Sequence, residues 1–190
     1  MPGRKRNLSR DDILLGLERI NSFLKARGTR GEIGIYGGAC MCLAFSARNS
    51  TKDIDAVFEP AQAVRKAAFE TAAELGWDWN WLNDDVKSFL SKEATEPKVD
   101  TLEWPEFSHL KVFTARADYL LAMKILASRA NGEEDPSPDL SDAVFLCRQL
   151  GIRKKETILE IVTRYYPDKD LPERADFFIH EILKQRSNHA

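Results

Sequence analysis

Along the first thirty residues, Ile13, Leu17, Ile20 and Leu24 recur at intervals of three and four, the spacing of one face of a helix. Ser9 followed by Asp12 resembles a capping box, so this first amphipathic helix is expected to begin there and to end near Gly28. The period then changes. Glu32 to Tyr36 is branched and aromatic, as a short strand requires, and stops at Gly37-Gly38 ahead of a compact run from Ala39 to Phe45. Strand, tight turn and helix are expected in that order. From Lys52 to Glu59 the pattern alternates, with Ile54, Ala56 and Phe58 on one face and Asp53, Asp55 and Val57 on the other. Pro60 then opens an Ala-rich helix that closes at Leu75-Gly76.

The stretch from Trp77 to Phe89 is irregular and aromatic, and Lys98 to Leu102 and Leu110 to Thr114 read as short strands. From Ala117 onward the pattern is helical, with breaks at Asn131 to Pro138, at Gly151 and at Tyr166-Pro167. The expected architecture is α+β: an N-terminal helix over residues 1–30, a small mixed sheet from 31–115, and an α-helical C-terminal bundle over 116–190, together one compact unit.

The 190 residues are 43% hydrophobic and 31% charged, a balance too apolar for a disordered chain and too charged for a membrane protein. The longest nearly apolar run, Tyr119 to Ala127, has Lys124 in its centre and is far short of the roughly 20 residues that span a bilayer. The basic start leads into acids rather than an apolar stretch, so it does not read as a secretory signal. Cys40, Cys42 and Cys147 cannot all pair within one chain and lack zinc-motif spacing, and a reducing cytoplasm is the expected location, without a membrane partner. A net charge of -2 argues against bulk coating of nucleic acid. The charge is nonetheless segregated: residues 1–31 carry eight basic and three acidic residues, and residues 77–107 three basic and eight acidic. The basic arm reads either as a contact for a polyanion or as a solvated terminus.

Four features bear on chemistry. Asp53 and Asp55 stand two apart in a strand, so both carboxylates leave one face and are placed to share a divalent cation, unless the strand is a solvent-facing edge. Gly37-Gly38 between strand and helix permits close approach of backbone N–H groups to a phosphate, or is simply a tight turn. The two sets are 15 residues apart, and a nucleoside triphosphate with Mg²⁺ is the ligand that fits both. Lys124 within its apolar run needs an anionic partner or room to extend its ammonium to solvent, and the residue pattern favours the latter. The acidic stretch Glu133 to Asp142 brings Asp139 and Asp142 onto one helix face, where they either serve a site or favour a helix N-terminus.

YGGACMCLAFSARNSTKDIDAVF resembles the signature of the DNA polymerase beta-type nucleotidyltransferase superfamily, in which Gly-Gly opens a helix and an Asp-x-Asp strand follows. LLAMKILASRA and DLSDA are similar to the Lys-containing helix and the Asp-x-x-Asp segment of its compact bacterial branch, which includes AbiEii-like abortive-infection and toxin nucleotidyltransferases. The resemblance covers about residues 30–150. It implies a nucleotidyltransferase core in which Gly37 and Gly38 form the phosphate turn and Asp53 and Asp55 bind Mg²⁺ or Mn²⁺. Arg48 and Thr51 would lie near the phosphates, Lys124 would meet the triphosphate, and Asp139 or Asp142 would complete the site. Ala39 stands where many members have Ser, and Pro138 where a Lys often precedes the Asp-x-x-Asp segment; Asp100 is the candidate for a third sheet carboxylate.

The function this implies is transfer of a nucleoside monophosphate from an NTP to a hydroxyl of RNA, such as a tRNA end, or of a protein, in a toxin-antitoxin or phage-defence setting with a cognate toxin or antitoxin as partner. Two alternatives remain: a nucleotide- or protein-binding module on the same fold without transfer, and an unrelated α/β domain whose Asp pair is surface charge.

Overall fold

The computed structural model describes residues 6–92, 98–99, 105, 107–128 and 138–187. The elements are β1 (Leu8–Ser9), α1 (Arg10–Ala26), β2 (Gly31–Ile35), α2 (Gly37–Leu43), β3 (Ser50–Thr51), β4 (Ile54–Glu59), α3 (Ala61–Leu75), β5 (Leu82–Asn83), a 3₁₀ turn (Asp85–Phe89), β6 (Lys98–Val99) and β7 (Leu110–Ala115). After them come α4 (Ala117–Leu126), α5 (Pro138–Gln149), α6 (Lys155–Tyr165) and α7 (Ala175–Ser187). The fold is mixed α+β with a small mixed sheet. It divides into two compact units, one formed by Met1–Ser88 with Lys98–Ala115 and the other by Phe89–Pro97 with Arg116–Ala190.

In the first unit the sheet has the order β5-β4-β2-β7-β6. The β2–β4 and β6–β7 pairs are antiparallel, and β2–β7 and β4–β5 are parallel. Helix α1 starts as its sequence requires: Ser9 Oγ accepts from Asp12 N at 3.2 Å, and Asp12 Oδ2 accepts from Ser9 N at 2.9 Å. Its expected apolar face is buried, with Ile13, Leu17, Ile20 and Leu24 each at 0% exposure, and it packs on α3. Burying an aliphatic side chain of this size contributes about 2 kcal/mol. Helix α3 ends at Gly76, whose φ of +68° is the left-handed cap that glycine adopts without a Cβ penalty.

Three short strands, β1, β3 and β5, were not expected from the pattern. At two residues each they are too short to show a period, and they exist through pairing: β1 lies antiparallel to β3, with Leu8 opposite Thr51, and β5 follows β4 in parallel. The expected strand at Lys98 to Leu102 is observed as Lys98–Val99, and its remaining residues lie outside those described.

In the second unit α4 packs on α5, α6 and α7, and it is buried from Asp118 to Ile125. Helix α5 opens at Pro138, the first-turn position where a missing N–H costs nothing. Burial pushes the Cys147 thiol up to about 12, which leaves it a packing residue rather than a nucleophile at neutral pH. No helix among the described residues is long and apolar enough to cross a membrane.

Gly16, in the middle of α1, is there for space. A Cβ at this position would lie 2.5 Å from two ring atoms of Trp81 and 3.0 Å from Trp77, and both indoles are buried in an edge-to-face pair with centroids 5.0 Å apart. Trp81 is held further by its Nε1 donating to Ala68 O at 3.0 Å. Helix propensity favours Gly16→Ala by about 1 kcal/mol, but overpacking against two fixed rings costs about 1–3 kcal/mol. Gly16→Ala is therefore expected to lower the urea midpoint, and an equal or higher midpoint would overturn the steric explanation.

Candidate functional site

Strand β4 sets the site because its apolar face is committed to the core. Ile54, Ala56 and Phe58 are buried, so the alternation turns Asp53, Asp55 and Val57 the other way, where each is half-buried. Asp53 sits one residue before the strand rather than within it, because regular pairing with β5 begins at Ile54. Asp55 lies opposite Asn83 of β5, and Asn83 Nδ2 approaches Asp53 Oδ2 at 3.5 Å while its Oδ1 accepts from Asp85 N at 3.1 Å. Asn83 is 5% exposed and was missed in the sequence; its only signal is position in an aromatic stretch that has no period.

The turn out of β2 meets this strand at contact distance. Tyr36 N donates to Asp55 O at 2.9 Å, and the next residue, Gly37, has a φ of +56°. A Cβ on Gly37 would lie 2.6 Å from Asp55 Oδ2. A Cβ on Gly38 would lie 2.5 Å from Thr51 Oγ1 and 3.0 Å from an Arg48 guanidinium nitrogen. Gly37, Gly38, Arg48, Thr51 and Asp55 are thus brought to one place, and Asp53 is held beside Asn83 two residues from Asp55. Ser46, in the loop leading to Arg48, has a φ of +50°, a conformation few non-glycine residues adopt. Helix α2 has only seven residues, so the charge and shape of these side chains, rather than a helix dipole, define the place.

Asp53 and Asp55 are the two carboxylates here that could hold a divalent cation. Mg²⁺ is commonly held by one or two carboxylates with the remaining positions filled by water and substrate phosphate oxygens, which is what Asp53 and Asp55 beside a Cβ-free turn offer. Among the described residues no group of three or more His, Cys, Asp or Glu side chains is placed to hold a metal unaided. Asp100 lies outside those residues.

The other three expected residues belong to the second unit. Lys124 does not extend to solvent as the pattern favoured: its side chain is 7% exposed, and its Nζ lies 2.7 Å from Asp142 Oδ2 and 2.9 Å from Asp139 Oδ1. The anionic partner wins because Asp142, itself 2% exposed, needs a cation as much as Lys124 needs an anion, whereas Asp139 is mostly exposed. Both carboxylates face Lys124 because α5 sets them one helical turn apart.

A second buried carboxylate in that unit, Asp118, escaped the sequence reading. It accepts from Tyr165 Oη at 2.9 Å, Arg116 Nε at 3.2 Å and Tyr119 N at 3.0 Å. Burial alone raises the Asp118 carboxyl, but these hydrogen bonds and the Arg116 charge outweigh it and hold the group below the usual range. Burial, and then the bond to Asp118, push the Tyr165 hydroxyl up.

No protein-family model, no curated protein and no solved structure matches this chain.

Two outcomes are expected. Lys124→Met leaves Asp142 as a buried carboxylate without its cation and is expected to cost about 3–5 kcal/mol, while Lys124→Met with Asp142→Leu recovers most of the loss. Equal urea midpoints for the wild type and Lys124→Met would show that the pair does not hold the unit together. Asp118 has a depressed folded value, so its contribution is present above the unfolded carboxylate value of about 3.9 and is lost as pH falls through the folded one. Asp118→Asn should therefore destabilise at neutral pH, with the gap closing in acid; a gap independent of pH would remove the ionised carboxylate from the explanation.

Proposed function

We propose that the chain is a Mg²⁺- or Mn²⁺-dependent nucleotidyltransferase that moves a nucleoside monophosphate from an NTP to a hydroxyl of RNA, including a tRNA end, or of a protein. The observation that carries this reading is the close fit of the Gly37-Gly38 turn against Asp55, Thr51 and Arg48, where a single methyl at either glycine would strike a polar side-chain atom. Asp53 and Asp55 would hold the metal, which supplies charge neutralisation at the triphosphate and at the leaving pyrophosphate. The rest is the chain's own. In this reading backbone N–H groups of the Gly37-Gly38 turn would donate to phosphate oxygens, the Arg48 guanidinium would balance negative charge, and Thr51 would donate its hydroxyl. Asn83 Nδ2 lies 3.5 Å from Asp53 Oδ2, at the outer limit of a hydrogen bond.

Lys124, Asp139 and Asp142 serve this reading as a structural ion cluster, in which a phosphate reaching Lys124 would share the cation with two carboxylates. That engagement favours a second reading, a nucleotide- or protein-binding module on the same fold, with an antitoxin-like or toxin-partner role and no transfer.

The test is incubation of the protein with each labelled NTP, Mg²⁺ and total cellular RNA or protein. Transferred label is expected, and Asp53→Asn with Asp55→Asn should lower the rate at least about a hundredfold, roughly 2.7 kcal/mol, while circular dichroism shows the fold retained. Transfer that survives in the double variant would remove the pair from the chemistry. Binding of NTP without transfer to any acceptor would select the second reading.

A further inference from the structure

Beside Asp53 the first unit has an open cleft of about 1070 Å³, whose walls include Arg6, Lys52, Asp53, Arg65, Phe69 and Trp79. Nucleotidyl transfer as described uses only one of these residues. In the run Trp77-Asp78-Trp79-Asn80-Trp81 the indoles alternate: Trp77 and Trp81 are buried at 5% and 2%, while Trp79 is 60% exposed. Trp79 stacks on Phe69 of α3, itself 54% exposed, with centroids 6.2 Å apart and planes at 27°. Two large aromatic rings are thus held in parallel and left open to solvent at the side of a cleft.

The cations around them identify the occupant. Arg6, Lys52 and Arg65 stand against Asp53 and Asp78 in the walls, an excess of one basic residue among the lining side chains in a chain that is acidic as a whole. Pairing of Leu8 with Thr51 keeps Arg6 near the segment that carries Asp53. Arg6 pairs with Asp12 at 2.6 Å and Arg65 with Asp84 at 2.9 Å, but both guanidiniums are about half exposed, and exposed pairs of this kind exchange readily for another anion. Flat rings for stacking, exchangeable guanidiniums and room for several nucleotides are the features that recognise single-stranded nucleic acid. A protein partner could use the aromatics, but to engage the cations it would have to supply carboxylates in exchange for those that already pair Arg6 and Arg65.

We propose that this cleft binds the single-stranded RNA acceptor, with a base stacked on Trp79 and Phe69, phosphates on Arg6, Lys52 and Arg65, and the strand leading to Asp53. The acceptor role rests on the transfer reading above; the binding does not.

The test is fluorescence anisotropy of a labelled oligouridylate of about twelve nucleotides with the full chain and no NTP, a length within the range of such sites. Saturable binding is expected, with the logarithm of affinity falling against the logarithm of salt at a slope of about 2, from three phosphate contacts. Trp79→Ala should weaken binding at least about tenfold, or 1.4 kcal/mol, and Trp79→Phe should restore most of it. Arg65→Gln should reduce the slope by about 0.7. Trp79 and Arg65 are exposed, so unchanged circular dichroism melts are expected to accompany these losses. Absence of saturable binding, a Trp79→Ala variant within twofold of wild type, or displacement of the RNA as well by polyglutamate as by unlabelled RNA would overturn the proposal.

Trp79-dependent RNA binding without transfer of any label would end the acceptor role and leave an RNA site. Transfer to protein without RNA binding would end the cleft proposal and leave the transfer reading intact.

Discussion

Everything at the candidate site depends on two missing methyl groups. The chain leaves β2, turns and enters α2 so close to β4 and β3 that the space at residues 37 and 38 is already filled by Asp55 Oδ2, Thr51 Oγ1 and an Arg48 nitrogen. At Gly37 the positive φ adds a backbone reason to the steric one, so the position is constrained twice. A larger residue at 37 forces Asp55 and β4 away from the turn, whereas one at 38 pushes on Thr51 of β3 and on Arg48. The buried face of β4 opposes that movement, because Ile54, Ala56 and Phe58 are anchored in the core. Turn and strand therefore hold each other, and the polar groups between them are positioned by apolar packing on the far side.

The second unit is organised around charge in a different way. Lys124 and Asp142 are both buried, and desolvating two ions is repaid only when they meet at short range with their remaining capacity satisfied. The same helix, α4, carries Asp118 in its first turn, and the oxygens of that carboxylate are shared among a tyrosine, an arginine and a backbone N–H. Polar groups of this kind confer little net stability compared with apolar replacements, but each is costly to leave half-satisfied, so they restrict how the neighbouring helices can be arranged.

Legibility in the sequence followed the length of each pattern. Helix α1 was readable because the capping box and four apolar positions agree, and β4 because Ile54, Ala56 and Phe58 recur at every second residue. The carboxylate pair and the Gly-Gly turn were readable as residue types, yet their contact arises from the β2–β4 pairing, which no local window contains. Strands of two residues have no period, so β1, β3 and β5 were invisible, and with β5 went Asn83. Lys124 was read as extending to solvent because its partners lie 15 and 18 residues away, across Asn131 to Pro138, on a helix whose own acids have a sufficient local explanation at the first turn. Asp118 carried no signal at all, since an acid in a first turn is ordinary and its burial is a tertiary fact.

The two kinds of ion pair differ in what they allow. Arg6 with Asp12 and Arg65 with Asp84 leave about half of each guanidinium exposed, although their carboxylates are largely covered, and partly exposed pairs of this kind contribute about 0–1 kcal/mol, so an incoming phosphate can compete for the arginines. Lys124 with Asp142 is enclosed, and taking the cation elsewhere would strand a buried carboxylate. A lysine in an apolar helical run therefore says less about ligand binding than its rarity suggests, while arginines at the edge of an aromatic cleft, individually unexceptional, are the cations that remain available. Net charge hides this distinction, because an acidic chain can still present a basic wall wherever its compensating carboxylates are only loosely held.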